Sequence, residues 1–545
     1  MEKEYNVKRA IDLSDSSLHE MDHDIWSRRS FIKTLGLAGG VGLGLGSFSV
    51  NILGSLPLML ATTEGPSDRV LVLIRLKGGN DGLNTIIPLF DYGRYKANRP
   101  TIAVKNSDIT ALGNGAFGIP KTMNAMTNLW NEGAMKVVNS VGYSNHNLSH
   151  FTSADIWNSA NVAIDFDKDK SGWLGRQILE ENPDFLNNLP AKPAAIKVNS
   201  GSNIAFQNPD RIDLAVNFNT LDNLINVAET GFLYDTVHLP DNCYYGDQIG
   251  FLRSILNVTY KYASPIKDAY SSSSNSVTYS NNDLSRQLAI VARLIKGNLG
   301  TKMYMVTMEG FDTHENQNND HPKLMNNLAN ALNEFYADLK NANKDNDVLS
   351  MTFSEFGRRV SENNGGTDHG TAAPVMLFGS ALNGNGFLGK DPDLQDLDLN
   401  GNLKHGTDFR SIYATLLESW LCLHPNTVDQ ILGDSYERMP DIGIDCMNVG
   451  TNDVLADQSI HHLIRPNNQG GFTIEYDLPR GGHVNVDVFT IIGQKIASLV
   501  NGNQQLGKHM VDFNHSNIGL SASMLIYRIS CGKKAVSGKF VAAGF

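Results

Sequence analysis

The sequence has 545 residues, of which 41% are hydrophobic and 19% charged, and a formal net charge of -12. That length suggests roughly two to four folded units, and the composition excludes global disorder. No basic stripe is available to neutralise phosphates, which excludes a nucleic-acid partner, and the acidic balance mainly implies solubility. The four cysteines (Cys243, Cys422, Cys446 and Cys531) are widely spaced with no C-x-x-C pair. This excludes a zinc ribbon or a dense disulfide scaffold and leaves one or two disulfides open, with the pairing undetermined.

Residues 1–63 read as a targeting region. Ser27-Arg-Arg-Ser-Phe-Ile-Lys33 precedes a charge-free, glycine-rich apolar run from Thr34 to Thr63. Arg28 and Arg29, with Ser27, Phe31 and Lys33, resemble a twin-arginine signal, so export through that machinery is expected. The run is long enough to span a membrane, but its glycines weaken the hydrophobicity, and no stable span is expected after signal removal. Gly39 to Gly46 does not fit a nucleotide-binding loop, because no strand precedes it and no G-x-G-x-x-G register fits.

From 64 to 450 the pattern is strand alternating with helix. Val70–Leu76, Met135–Val141, Met303–Met308, Val348–Phe353 and Val375–Phe378 are continuous apolar runs without strict alternation. Such runs indicate strands buried on both faces of a mainly parallel sheet, hence a doubly wound α/β domain. Helices are expected over Lys323–Ala342, Asp408–Leu423 and Asn282–Leu299, and residues 178–300 read as a cap or insertion. Residues 451–464 read as a linker containing solvated His461 and His462. Beyond Arg465 the texture changes to short alternating segments, including Phe472–Leu478, Val484–Phe489, Lys508–Phe513 and Met524–Ile529. These predict a small antiparallel β-sandwich over 465–545.

Ligands in doubly wound sheets gather beyond the carboxyl ends of strands. The first run is followed by Gly78-Gly-Asn-Asp81-Gly82, the second by His146, Ser149 and His150, the third by Asp312-Thr-His314, and the fourth by Glu355 and Arg358. The loop ahead of the fifth run carries Asp368-His369. Carboxylates and imidazoles thus recur at one edge. Divalent zinc or a similar ion takes Asp oxygen and His nitrogen together, and paired ions can clamp a displacement at phosphorus or sulfur. Each Asp–His pair alone is more often a turn than a ligand set, and it is their joint placement after separate strands that points to a site.

Leu76–Thr85, Ser149–Trp157, Gly172–Arg176, Gly310–His314, Ser354–Arg359, Gly366–Gly370 and Asp408–Arg410, in this order, resemble the domain-of-unknown-function family 1501 over most of residues 66–435. That family is related to alkaline phosphatases and sulfatases. The resemblance implies an alkaline-phosphatase-like fold with divalent metals at one sheet edge. Carried over residue by residue, it implies that Asp81, Asp368 and His369 share one ion and that Asp312 and His314 hold a second. His321 and His405 are candidates for a missing third ligand. It implies Ser149 as nucleophile at a helix N-terminus, with Thr85 in reserve, although Ser149 also suits a plain N-cap. Arg358 is expected to clamp an anionic oxygen or to form a structural ion pair. His146 and His150 suit metal binding or proton transfer, and Glu355 suits capping of the following turn. Neither Ser149 nor any cysteine has the context of a formylglycine precursor, so phosphate esters are expected before sulfate esters.

The C-terminal segments Thr473–Pro479, Val486–Phe489, Gly493–Ile496, Leu506–His509 and Leu525–Arg528 resemble the sorting domain of the type IX secretion system. Together the resemblances imply an exported, metal-dependent hydrolase of small anionic esters, in the periplasm in transit and then at the cell surface or outside. The alternative is a cell-surface structural or binding protein that keeps the fold without the activity. A carbohydrate-binding surface would need aromatic platforms, and five Trp offer few.

Overall fold

The computed structural model describes residues 69–163, 171–446 and 460–542, apart from 184, 186, 187, 202, 233–243, 468–470, 479–481, 491–494, 515–522, 532 and 533. The twin-arginine segment, Cys243 and most of the expected linker lie outside the described residues. The chain divides into two compact units, with the boundary between Asn448 and Val449.

The first unit is built on one nine-stranded sheet. In chain order its strands are β1 (Val70–Leu76), β2 (Met135–Gly142), β3 (Ala195–Val198), β4 (Val216–Phe218), β5 (Met303–Met308), β6 (Val348–Phe353), β7 (Ala373–Phe378), β8 (Gly386–Leu388) and β9 (Thr407–Asp408). Their spatial order is β8-β2-β7-β6-β1-β5-β3-β4, with β9 also paired to β2. β1 lies parallel to both β5 and β6, so the centre of the sheet is parallel. β7 alone runs against its neighbours β2 and β6. The mainly parallel α/β architecture is therefore the one expected from the apolar runs.

Those runs lack alternation because both faces are covered. Val70, Val72, Ile74 and Leu76 of β1 enter one core cluster, and Leu71 and Leu73 enter another. The helices that cover the faces of the sheet include α1 (His150–Ser159), α2 (Trp173–Glu181), α3 (Leu221–Thr230), α4 (Tyr244–Ser271), α5 (Asp283–Lys296), α6 (Gln317–Lys340) and α7 (Phe409–Thr415). α3, α4, α5 and α6 contribute to the first cluster, and α1, α2 and α7 to the second. α6 begins at Gln317 rather than Lys323 and carries Pro322 inside it.

Residues 178–300 differ from the expected cap. They supply strands β3 and β4 of the central sheet and helices α3 to α5, whose apolar faces belong to its main core. The strands are short, with four and three residues, and so gave little sequence signal.

The second unit is an antiparallel sandwich of β10 (His461–Pro466), β11 (Phe472–Leu478), β12 (Gly482–Thr490), β13 (Lys495–Gln504), β14 (Gly507–Phe513), β15 (Ser523–Cys531) and β16 (Lys534–Ala542). One sheet has the order β10-β11-β14 and the other β13-β12-β15-β16. Ile474, Tyr476 and Leu478 of one sheet meet Val484, Val486, Val488, Leu525 and Ile529 of the other in a single core. The sandwich begins earlier than expected. His461 and His462 pair with Asp477 and Tyr476 in β10, and His462 Nδ1 lies 2.8 Å from the Tyr527 hydroxyl. They are strand residues and not part of a solvated linker. No helix among the described residues is long and apolar enough to cross a membrane.

Cys422 and Cys446 form a disulfide across 24 residues, and Cys531 is buried and reduced. The bond closes a loop beside the start of β1, where Arg69 donates to the Ser419 and Trp420 carbonyls at 2.9 and 3.2 Å. Closing a loop of this length in the unfolded chain is worth about 3 kcal/mol. Reduction, or Cys422→Ser with Cys446→Ser, is expected to lower the stability of this unit by about that amount, measured as a shift in its denaturation midpoint.

Candidate metal centre

Loops from four strands meet at the carboxyl edge of the sheet. β1, β2, β5 and β6 end there. Because β7 runs the other way, the residues leading into it reach the same edge. Glycine makes the close approach feasible. A Cβ on Gly78, at φ +125°, would lie 2.4 Å from the Asp312 amide nitrogen, and one on Gly366 would strike the His314 backbone. Gly78 in αL-side space and Gly366 at backbone contact are positions where no other residue fits.

Arg358 holds these loops together. Its side chain is fully buried, with Nε donating to Gly79 O at 2.7 Å and Nη1 to Thr367 O at 2.8 Å. Nη2 donates to Gly78 O, to Phe311 O at 3.1 Å and to Asp312 Oδ1 at 2.5 Å. The guanidinium is thus committed to the protein itself. The expected anion clamp is corrected to the structural ion pair, with Asp312 as the partner.

Three imidazoles converge on Asp312. His150 Nε2 lies 3.4 Å from Oδ2, and His314 Nε2 and His369 Nε2 lie 3.0 and 3.4 Å from Oδ1. One ligand atom each of His150, Asp312 and His369 falls within 4.8 Å of the others. The outer nitrogen of every ring faces an oxygen. His369 Nδ1 is 2.8 Å from Leu148 O, His150 Nδ1 is 3.0 Å from Glu355 Oε1, and His314 Nδ1 is 3.5 Å from Asp368 Oδ1.

Each ring thus has oxygen acceptors at both nitrogens. Carbonyl and carboxylate oxygens only accept, so a ring that gives its single proton outward from Nδ1 turns an Nε2 lone pair toward the Asp312 carboxylate, a repulsive contact that a cation between them relieves. His314 Nε2 and His369 Nε2 are 3.0 Å apart, where two lone pairs repel unless a proton or cation lies between them. Nitrogen and oxygen ligands tetrahedrally arranged about zinc sit roughly 3.3–3.5 Å from one another. His150, Asp312 and His369 therefore fit a divalent ion, with His314 beside Asp312 and His369 at its rim. Burial lowers the His369 pKa, aided by the Arg358 charge and opposed by the Leu148 bond, which keeps the ring neutral near pH 7. Burial would raise the Asp312 carboxyl, but the bond and charge of Arg358 hold it below the usual range.

Of the expected ligands, Asp312, His314 and His369 come together. Asp368 does not reach the cluster: it sits behind His314, 3.5 Å from Nδ1, with its other oxygen 3.1 Å from Asn363 Nδ2. Asp81 does not join them. It is fully buried, and both its oxygens accept from Arg99 Nη1, at 2.8 and 2.6 Å. Burial would raise this carboxyl, but Arg99 holds it ionised, with smaller help from His321 and Gln317. The two-ion scheme thus loses a member, because one guanidinium supplies the positive charge that an ion would have supplied. His321 is buried in α6, 3.4 Å from Asn80 Oδ1, and His405 packs edge-on against His146 with ring centres 5.5 Å apart. Neither lies in the cluster, whose remaining member is His150. Thr85 is buried and bonded to Asn80 and to the Asp81 carbonyl, which removes it as a reserve nucleophile. Ser149 is exposed at the N-cap of α1 without a side-chain cap bond, between Leu148 and His150, which both touch the cluster.

The first unit is thus a doubly wound α/β protein with a candidate His/Asp metal centre at the carboxyl edge of its sheet. The family model described as "Protein of unknown function (DUF1501)" matches residues 263–433. That stretch holds Asp312, His314, Glu355, Arg358, Asp368 and His369 and excludes Asp81, Ser149 and His150. No curated protein matches the chain. Among solved structures, a protein in the alkaline phosphatase superfamily from Vibrio parahaemolyticus is 12% identical, covering 90% of this chain and 92% of its own, with a TM-score of 0.29. The lipoteichoic acid synthase LtaP from Listeria monocytogenes is 8% identical, covering 81% and 87%, with a TM-score of 0.29. The alkaline phosphatase from the Antarctic bacterium TAB5 is 9% identical, covering 59% and 95%, with a TM-score of 0.24. At these scores the similarities assign no residue a role.

Two outcomes follow from the geometry. Asp81→Asn is expected to destabilise the fold and leave metal content unchanged, whereas Asp312→Asn removes bound metal; elemental analysis of the purified variants distinguishes them. Burial also pushes the His321 imidazole down from 6.5 to about 4. The unfolded chain therefore takes up this proton first. The contribution is complete above pH 6.5 and is lost as pH falls toward 4, at about 1.4 kcal/mol per pH unit. His321→Gln is expected to flatten the fall in denaturation midpoint across that range.

Proposed function

We propose that the chain is an exported, metal-dependent hydrolase of small anionic esters, phosphate before sulfate, using one divalent ion, with zinc as the first candidate. The observation that carries this reading is the convergence of three imidazole Nε2 atoms on the Asp312 carboxylate. A bound ion of this kind supplies Lewis acidity toward an ester oxygen. His150, Asp312 and His369 hold it, with His314 beside them, and Arg358 fixes the Asp312 carboxylate from behind. Ser149 stands at the amino end of α1, where the first-turn amides and the helix dipole favour an approaching anion. In this reading the Ser149 hydroxyl is the nucleophile, beside His150.

Export is supported by the twin-arginine segment and by the disulfide, which suits an oxidising compartment. The separate antiparallel sandwich is consistent with a sorting domain read by the type IX machinery. The non-catalytic alternative is favoured by one observation: the pairing of Asp81 with Arg99, which removes a ligand from the two-ion scheme.

The test is metal content and hydrolysis by the mature chain. About one ion per chain is expected, with turnover of generic phosphomonoesters or diesters. His369→Ala is expected to abolish metal binding and to lower turnover roughly a hundredfold or more. Ser149→Ala should lower turnover and keep the metal. Metal-free protein with no turnover would favour the non-catalytic alternative. Lys substitution of Arg28 and Arg29 should retain the protein in the cytoplasm, as read by cell fractionation.

A further inference from the structure

Glu355 is the one carboxylate beside the cluster that is almost completely buried, at 1% exposure. Its Oε1 accepts from the Gly78 amide at 2.9 Å and meets His150 Nδ1 at 3.0 Å. Its other oxygen, Oε2, is buried and has no hydrogen-bond partner. Capping Gly78 alone does not account for this residue. A neutral side chain would accept from an amide equally well, without a buried anion and an empty oxygen that cost free energy. The other two rings are oriented differently. His369 faces the Leu148 carbonyl, and His314 faces Asp368, whose side chain is 40% exposed.

We infer that Glu355 is the positioning residue of the metal centre: through its buried carboxylate it holds His150 in the Nδ1–H tautomer and strengthens Nε2 as a donor to the ion. The inference rests on the proposed metal site, and its physical basis is electrostatic. An anion behind the ring stabilises positive charge developing on the imidazole when Nε2 binds a cation, and low surrounding polarity makes that effect large. His150 needs this more than its neighbours, because it stands on the first turn of α1, whose dipole opposes positive charge there. Ser354 beside it fixes the loop, accepting from the Asn80 amide at 2.9 Å and donating to the Leu76 carbonyl at 2.6 Å. The carboxylate is therefore mounted on a strand end rather than on a free loop. Phe356 packs against both His150 and His369, with ring centres 4.8 and 4.5 Å apart, and shields the same contact from water.

Two variants separate charge from hydrogen bonding. Glu355→Gln keeps an acceptor for His150 and removes the charge. Glu355→Met removes both at similar volume. Cobalt(II) is titrated into metal-free full-length chain and followed by its visible absorption. Glu355→Gln is expected to weaken binding about 10- to 100-fold, and Glu355→Met more, with a changed cobalt spectrum. In parallel, long-range nitrogen–proton NMR of the metal-free chain, with His150 assigned through His150→Gln, reads the tautomer. Nδ1–H is expected in the parent chain and in Glu355→Gln, and its loss is expected in Glu355→Met. If Glu355→Met does not fold, the Glu355→Gln titration carries the test. Equal cobalt affinity in Glu355→Gln and the parent would overturn the inference, as would an Nε2–H tautomer in the parent. A parent chain that binds no cobalt yet shows the Nδ1–H tautomer would overturn the metal site while leaving the Glu355–His150 contact in place.

Discussion

A single buried guanidinium organises the carboxyl edge of the central sheet, where the candidate site lies. Arg358 is tied to the carbonyls of Gly78, Gly79, Phe311 and Thr367 and to the Asp312 carboxylate, so it touches the loops that follow β1 and β5 and the one that precedes β7. Planarity and a fixed fork of donors let one residue serve all these partners, which a lysine ammonium could not do. Its charge is balanced by Asp312, the carboxylate on which the imidazoles converge. The fold and the candidate site thus share one residue. Loosening that contact would disturb the ligand geometry and leave several buried carbonyls unpaired.

The fold was legible in the sequence wherever strands were long and buried on both faces. β1, β5 and β6 announce themselves as continuous apolar runs, and the sheet assembles around them. β3 and β4 did not, because three or four residues carry no periodicity, and a region without evident strands reads as an insertion. The site was legible as a neighbourhood. Residues at corresponding strand ends were picked by type, and Asp312, His314 and His369 do meet. Which carboxylate would bind and which would be neutralised was not legible. Asp81 is taken by Arg99, eighteen positions along the chain and on no recognisable motif. His150 looked like one of several histidines until the loop after β2 placed its Nε2 beside Asp312.

Glu355 shows the same limit from another side. In sequence it begins Glu-Phe-Gly-Arg and suggests a turn cap, and it does accept from the Gly78 amide. Its contact with His150 joins residues 205 positions apart, so no local pattern announces it. The sequence signal that would have found it is indirect: an acidic residue directly after a buried strand, where a free carboxylate is costly without a partner.

The reversed strand β7 has a consequence for how the centre is put together. β6 and β7 are sheet neighbours joined by one connection, and that connection carries Glu355, Arg358, Asp368 and His369. The pairing of Arg358 with His369 across it makes the connection a folded arm in its own right. His369, with Glu355, Arg358 and Asp368 around it, therefore arrives on a local hairpin, a contact with little loop-closure entropy, while His150, Asp312 and His314 must be delivered from remote parts of the chain. Such a division mounts one side of the site on a prearranged arm and leaves the other side to long-range packing.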